Sequence, residues 1–339
     1  MRKFLLSIIS MIISIPLYGQ FVTNVSKVGT TSAQFLKIEV GPRAIGMGGA
    51  FVAVANDAST IYWNPAGLVR LKKNEVILTH TDWLADTNFD FAGIVFHLGR
   101  FGTLATSITT LNMAEMEVRT VFYPEGTGEK FDCGDLAAGI SYARNLTDRF
   151  SIGFNAKYIR QTIWHMAASS IAFDIGTLFT TQFNQMKIGM SISNFGNKMR
   201  YEGKDTRIFY DFDPQKFGDN DRLPAYLQTD KWALPLMFRV GVAVDVLKSL
   251  PHRLTVAVDA NHPNDNTENI NLGGEYVFKD WVSLRLGYKS LFTRDSEEGL
   301  TAGAGLEYPL RYATLKIDYA YADFGRLTSV HRFAISIEF

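Results

Sequence analysis

From about residue 74 to Phe339, most of this chain alternates apolar and polar residues with a period of two. Between Met237 and Val246, for example, every second residue is phenylalanine or valine, and the residues between them include Arg239 and Asp245. Successive side chains of a β-strand point to opposite faces, so this pattern is typical of strands with one apolar and one polar face. The sequence therefore predicts an all-β protein.

Fourteen such segments can be counted, and most reach the ~9–11 residues that cross a bilayer at the tilt of a barrel strand. They are 74–83, 88–98, 103–112, 133–145, 149–163, 168–180, 186–196, 232–248, 253–262, 268–278, 281–291, 298–308, 311–323 and 328–339. The connections after the even-numbered segments are short, whereas Met113–Asp132 and Gly196–Lys231 are long connections after odd-numbered ones. Outer-membrane barrels have short periplasmic turns and longer extracellular loops. We therefore expect residues 73–339 to form a 14-stranded antiparallel transmembrane outer-membrane β-barrel.

Charge and composition fit this expectation. The chain has 34 basic and 34 acidic residues, and this balance argues against nucleic acid as a partner. Aliphatic and aromatic positions are expected to face outer-membrane lipid. The charged positions expected to face the lumen are Lys157, Arg239, Asp245, Asp259, Glu275, Arg285, Lys289, Glu307, Lys316, Asp318 and Glu338.

The N-terminus has the pattern of a cleaved secretory signal peptide. Arg2 and Lys3 precede an apolar run of about a dozen residues, and the sequence Leu17-Tyr18-Gly19 follows it. A spanning helix needs about 20 apolar residues, so a membrane anchor is disfavoured. We predict a signal peptide over residues 1–19 and a protein exported to the outer membrane of a Gram-negative cell.

The C-terminus alternates up to a terminal aromatic residue. Phe333, Ile335, Ile337 and Phe339 lie on one face of the last segment and have the form of a signal for outer-membrane barrel assembly. The alternative is that they end an ordinary edge strand. The expected assembly role places the chain end, and hence the short turns, in the periplasm.

Before the first strand lies a glycine-rich segment, Gly41–Leu68, that matches neither the signal nor the strands. Its small residues and its Asn-Pro-Ala-Gly turn permit close backbone packing and tight turns. About eight strands make a barrel that side chains can fill, so a lumen of fourteen strands is either a channel or is plugged. We expect residues 20–72 to form a lead-in and a hatch inside the barrel.

The string GPRAIGMGGAFVAVANDASTIYWNPAGL resembles the N-terminal signature of the PorV/PorQ family, a branch of the FadL-like outer-membrane barrels. In that family a similar run forms a hatch in a fourteen-stranded barrel. The resemblance implies hatch roles for Arg43, Gly46, Gly48, Gly49, Asp57, Trp63, Asn64, Pro65, Ala66 and Gly67.

The resemblance implies two functions of different classes. The first is a non-enzymatic accessory of type IX secretion, with exported proteins or translocon subunits as partners. The alternative is a FadL-like channel that carries, and can bind, small hydrophobic molecules. The shared hatch string does not distinguish them.

The long connection Tyr201–Trp232 interleaves aromatic and charged residues. Tyrosine and arginine are favoured anchors at protein interfaces. These residues either form a partner-binding surface or pack as a lid over the barrel mouth. The candidates are Tyr210, Phe212, Phe217, Arg222 and Tyr226.

No catalytic, metal or cofactor site is predicted. The six histidines are scattered without metal-ligand spacing, and Cys133 is the only cysteine. The run Gly46-Met47-Gly48-Gly49 lacks the lysine and hydroxyl residue of a phosphate-binding loop.

Overall fold

The computed structural model describes residues 27–216, 222–293 and 296–339, so the predicted signal peptide lies outside the described residues. Fourteen long strands form the wall of a barrel. They are β1 Glu75–Trp83, β2 Thr87–His97, β3 Thr103–Met113, β4 Cys133–Thr147, β5 Phe150–Ile163, β6 Met166–Thr180, β7 Lys187–Gly196, β8 Met237–Ser249, β9 His252–Pro263, β10 Asn269–Phe278, β11 Val282–Leu291, β12 Leu300–Pro309, β13 Thr314–Asp323 and β14 Ser329–Glu338.

Each strand pairs antiparallel with the next, and the first pairs with the last. The closing pair places Val76 opposite Ile337 and Leu78 opposite Ile335. Beyond the last paired strand residues, Asn74 and Phe339 exchange two backbone hydrogen bonds of 3.0 and 2.9 Å. Closure leaves no free sheet edge, which a barrel in hydrocarbon requires.

The predicted fold class is confirmed: the structure is a closed antiparallel barrel of fourteen strands. The clearest difference in boundaries is at β8, which begins at Met237 and not at residue 232. Pro235 lies in the intervening stretch and has no N–H group for a ladder hydrogen bond. Trp232 and Ala233 instead form isolated bridges with Met199 and Thr31.

The two faces of the wall follow the alternation in the sequence. Phe154 and Leu286 point outward and are 47% and 65% exposed, while their neighbours Asn155 and Arg285 point inward and are 3% and 4% exposed. All eleven charged positions assigned to the lumen lie on the inner face of their strands. The apolar outer face is what a lipid-embedded barrel needs.

Two short helices and several 3₁₀ turns are not part of the strand wall. Helix α1 spans Pro42–Gly46 and helix α2 spans Thr60–Trp63, with 3₁₀ turns at Gln34–Lys37 and Pro65–Arg70 on either side of them. Further 3₁₀ turns are Leu84–Asp86, Gly99–Phe101, Lys204–Thr206 and Gly325–Leu327. No helix among the described residues is long and apolar enough to span a membrane.

The glycine-rich segment, Gly41–Leu68, packs against the inner face of the wall. Inward-facing glycines on six strands approach it so closely that an added Cβ would lie 3.1 Å or less from one of its atoms. These are Gly153, Gly176, Gly189, Gly273, Gly287 and Gly303. Within the segment, Gly48 and Gly49 have φ of 66° and 73°, a backbone region that favours glycine. Backbone therefore packs directly on backbone across much of the interior.

Gly273 and Gly274 on β10 offer a matched test of this packing. A Cβ on Gly273 would lie 2.1 Å from the Met47 carbonyl oxygen, whereas a Cβ on Gly274 meets nothing closer than 3.9 Å. We expect Gly273→Ala to lower the midpoint of heat-induced unfolding, followed by gel mobility of the folded barrel, because overpacking costs about 1–3 kcal/mol. Gly274→Ala should leave it unchanged or slightly raised. Equal midpoints for the two variants would contradict the close packing described here.

Candidate functional site

Arg43 on helix α1 connects the glycine-rich segment to the wall. Its Nε and Nη2 donate to the two carboxylate oxygens of Glu275, both at 2.8 Å, and its Nη1 lies 3.0 Å from Asp57. Arg285 lies on the other side of Glu275, at 2.9 Å, and also pairs with Asp318. Burial opposes the charge on Arg43, but Glu275 and Asp57 outweigh it and raise the pKa of the guanidinium above its usual value. The result is a buried chain of alternating charges.

Asp259 on β9 holds the middle of the segment. One of its carboxylate oxygens accepts hydrogen bonds from the backbone N–H groups of Phe51 and Val52, both at 2.8 Å. Asp259 is fully buried, so these bonds satisfy donors that water does not reach.

Asn64 orders the Asn-Pro-Ala-Gly turn. Its side-chain amide donates to the carbonyl of Val52 at 2.9 Å and to the carbonyl of Thr177 on β6 at 3.1 Å. Its side-chain oxygen accepts from the backbone N–H of Ala66 at 3.2 Å. Asn64 therefore joins two parts of the segment to each other and to the wall.

The neighbouring Trp63 is 1% exposed and donates its indole N–H to the Val40 carbonyl at 2.8 Å. The guanidinium of Arg239 lies 5.4 Å from the Trp63 ring and the same distance from the ring of Tyr62. The ten residues predicted for the hatch all lie in this segment, against the inner face of the wall, and their role as a hatch stays a prediction.

Asp265, just after β9, fastens the lead-in. Its carboxylate accepts from Thr31 at 2.7 Å, from Gln34 at 2.9 Å, and from Lys37 at 3.0 and 3.1 Å. Burial works against ionisation, but these hydrogen bonds outweigh it and lower the pKa of Asp265 below its ordinary value of 3.8. Sequence reasoning missed this residue, because its partners lie more than two hundred positions earlier in the chain.

A cavity of about 760 Å³ opens at the barrel end that carries the long connections, here called the outer mouth. Its walls include Trp83, Phe324 and Arg332 from strand ends and the adjoining turn, and lead-in residues from Gln34 to Glu39 border it from below. No pattern in the sequence indicates this cavity. It depends on where the lead-in crosses the lumen.

In the described part of each long connection, two short strands pair with each other at the outer mouth. In the first, Met116–Glu117 pairs with Lys130–Phe131, and Val121 and Phe122 near its tip are 95% and 88% exposed. In the second, Arg207–Tyr210 pairs with Leu223–Tyr226.

Of the five residues predicted in the second connection, Phe217 lies outside the described residues. Tyr210, Phe212 and Tyr226 are 53%, 79% and 67% exposed, and Arg222 lies 6.0 Å from the ring of Phe209. These aromatic side chains are therefore presented to the surroundings more than they are buried.

The candidate assembly residues lie along the outer face of the last strand, and Phe339 is at the barrel end opposite the outer mouth. Phe333, Ile335 and Ile337 alternate along β14 and are 44–52% exposed, and Phe339 follows the strand. Among the described residues, no three histidine, cysteine, aspartate or glutamate side chains form a group that could hold a metal ion.

With this geometry established, the family follows from sequence similarity. The sequence model of the family described as Type IX secretion system protein PorV matches residues 21–216, more than half of the chain. The chain belongs to the PorV family. The family expected from the glycine-rich segment is thereby confirmed. No curated protein sequence matches the chain.

Solved structures with the same fold as this PorV-family barrel include hydrocarbon channels. The CymD monoaromatic hydrocarbon channel is 13% identical, with a TM-score of 0.55 over 89% of this chain and 97% of that one. The Ralstonia pickettii toluene transporter TbuX is 11% identical, with a TM-score of 0.54 over 88% and 97%. The Pseudomonas putida toluene transporter TodX is also 11% identical, with a TM-score of 0.53 over 87% and 96%. At these identities the similarity shows the fold alone, which is that of a FadL-like outer-membrane barrel.

The Asp265 cluster generates a prediction about pH. Since folding lowers the pKa of this carboxyl, the unfolded chain takes up its proton first as the pH falls. The stabilisation is complete above the ordinary pKa of 3.8 and is lost as the pH drops through the folded value. Asp265→Asn should therefore lower the unfolding midpoint at pH 6 and differ less from the parent at pH 3.

The control for this experiment is Asp230→Asn, which removes an exposed carboxylate from the same end of the barrel. Its unfolding midpoint should stay close to that of the parent at both pH values. A difference between Asp265→Asn and the parent that grows on acidification would contradict the assignment.

Proposed function

We propose that this outer-membrane barrel is a non-enzymatic accessory of type IX secretion that holds exported proteins or translocon subunits through its outer hairpins. The single observation that carries the proposal beyond family membership is the apolar tip of the first hairpin. Val121, Phe122 and Tyr123 are 95%, 88% and 62% exposed. Contiguous apolar surface of this kind marks interaction sites on proteins.

The hairpin presents this tip in an ordered way. Beyond the Met116–Glu117 pairing, Val118 exchanges backbone hydrogen bonds with Glu129 and Thr127 at 2.8 and 2.9 Å. A preorganised loop loses less conformational entropy when a partner binds. Tyr210, Phe212 and Tyr226 of the second hairpin form a second exposed aromatic surface at the same end of the barrel.

The accessory role also accounts for a filled interior. We propose that the glycine-rich segment is a hatch that stays closed while the loops act. Its support is the number of buried anchors: Glu275 holds Arg43, Asp259 holds two backbone donors, and Thr177 accepts from Asn64. Moving the segment would require these groups to separate together.

The runner-up function is a FadL-like channel for small hydrophobic compounds. Its support is the shared fold and an apolar recess of about 370 Å³ on the outer wall, lined by Leu78, Phe91, Ile108, Phe333 and Ile335 among others. Such a channel requires a route from the outer mouth past the glycine-rich segment.

The first test is affinity capture from gently solubilised outer membranes, comparing the parent with Phe122→Asp. We expect the parent to retain translocon subunits or exported proteins, and the variant to lose most of them, because a charge replaces an apolar anchor. Leu250→Asp is the control: Leu250 is 90% exposed but lies in a short turn at the opposite end.

If Phe122→Asp leaves the captured proteins unchanged, the hairpin tip is not the anchor. A parent barrel that captures no protein, and that admits aromatic hydrocarbons into reconstituted vesicles, would favour the channel instead. Deletion of the protein with unchanged secretion and surface display of cargo would rule out the accessory role.

The hatch is tested separately by single-channel recording of Asn64→Ala. Loss of three hydrogen bonds should loosen the turn and raise the conductance or the frequency of openings. Asn145→Ala, at an exposed position on β4, provides the control. Conductance equal to the parent in both variants would mean that the segment does not close the lumen.

A further inference from the structure

The outer-mouth cavity is lined by a set of charges that do not balance. Among the described residues its lining contains four cations and three carboxylates. The cations are Lys37, Arg239, Lys289 and Arg332, and the carboxylates are Glu39, Glu297 and Glu298.

Each of these carboxylates already has a cationic partner. Lys289 lies 3.1 Å from Glu39 and 2.6 Å from Glu298. Glu297 pairs with Arg326 on the rim. The remaining lysine, Lys37, forms an ion pair with Asp265 at 3.0 Å. The two arginines are thus the cations left without a carboxylate within ion-pair distance among the described residues.

Arg332 on β14 is the more exceptional of the two. It is 2% exposed, and its Nε and Nη1 have no hydrogen-bond partner among the residues that the structure describes. A buried guanidinium without an acceptor is costly, since arginine carries five donors that water would otherwise satisfy. The side chain borders the cavity, so an anion held there lies against it.

Aromatic side chains fix the position of this guanidinium. Its central carbon lies 5.2 Å from the ring of Trp83 and 6.0 Å from the ring of Phe324, and the two rings meet edge to face at 5.4 Å. Arg239, 5% exposed, lies beside the rings of Tyr62 and Trp63 and donates one hydrogen bond to the Ser193 hydroxyl at 3.3 Å. Cation–π contacts orient an arginine but do not supply the acceptors that Nε and Nη1 of Arg332 lack.

We propose that the outer-mouth cavity is a binding site for a carboxylate with an apolar or aromatic body, held by Arg332 and supported by Arg239. Because Lys289 is shared by two glutamates, the two unpaired arginines leave the lining with a net excess of one positive charge. This excess matches a monoanion better than a multiply charged ligand. The aromatic and aliphatic walls, which include Trp83, Leu111 and Phe324, match the apolar body. A volume of about 760 Å³ falls in the range of small-ligand pockets.

The carboxylate could belong to a free organic acid or to the end of a polypeptide. The test is isothermal titration calorimetry of the whole barrel in detergent, with two matched pairs of probes. The first pair is 4-phenylbutyrate and its neutral amide, and the second is acetyl-Gly-Phe with a free carboxylate and the same peptide as an amide. We expect at least one acid to bind about tenfold more tightly than its amide, the gain of one charge-assisted contact.

The preference for the acid should disappear in Arg332→Gln and persist in large part in Arg332→Lys, which keeps the charge. Arg160→Gln is the matched control, because it removes an arginine from the outer face of β5. The comparison of acid with amide on the parent chain needs no variant, so it stands even where Arg332→Gln fails to fold.

Equal binding of acid and amide, or no binding of either acid, would overturn the proposal. An acid preference that survives Arg332→Gln would also overturn it. Tighter binding of 4-phenylbutyrate would identify a free organic acid as the source, and tighter binding of the peptide acid a polypeptide end. The measurement uses the isolated barrel, so its failure leaves the proposed role of the outer hairpins untouched.

Discussion

A wall of fourteen strands encloses more space than its own side chains can fill, and the interior of this protein depends on that constraint. The filling comes from the chain that precedes the first strand. It fits partly because backbone meets backbone: glycines of the wall, such as Gly189 and Gly287, lie directly against backbone atoms of the glycine-rich segment. Close packing of this kind leaves little room for larger residues on either side.

Such packing would be unfavourable if it buried backbone donors without acceptors. Side chains of the wall supply these acceptors. Asp259 accepts from Phe51 and Val52, and the Thr301 hydroxyl accepts from Gly48 at 3.0 Å. The charge of Arg43 is matched by Glu275 in the same way. Because breaking one side of a buried pair leaves the other uncompensated, packing and electrostatics favour the same position of the segment.

The two ends of the barrel are built differently. At the end where Asn74 meets Phe339, the turns are short and the chain termini of the barrel are paired. At the outer mouth, the first long connection presents an exposed apolar tip, and the buried Arg239 and Arg332 line the cavity at this end. The exposed apolar tip and the cavity are therefore found at the same end of the barrel.

The sequence by itself determined the wall, its faces and the family. Strand periodicity is local, since a pattern such as Phe238 to Val246 states which side chains share a face without reference to any other strand. The glycine-rich string identified the family for the same reason, because its residues are contiguous. Only the tertiary structure decided that Asp265 fastens the lead-in, that Glu275 rather than another lumenal acid holds Arg43, and that Arg332 borders a cavity. Each of these contacts joins residues far apart in the chain, and which inward-facing charges meet depends on the register and closure of the whole barrel.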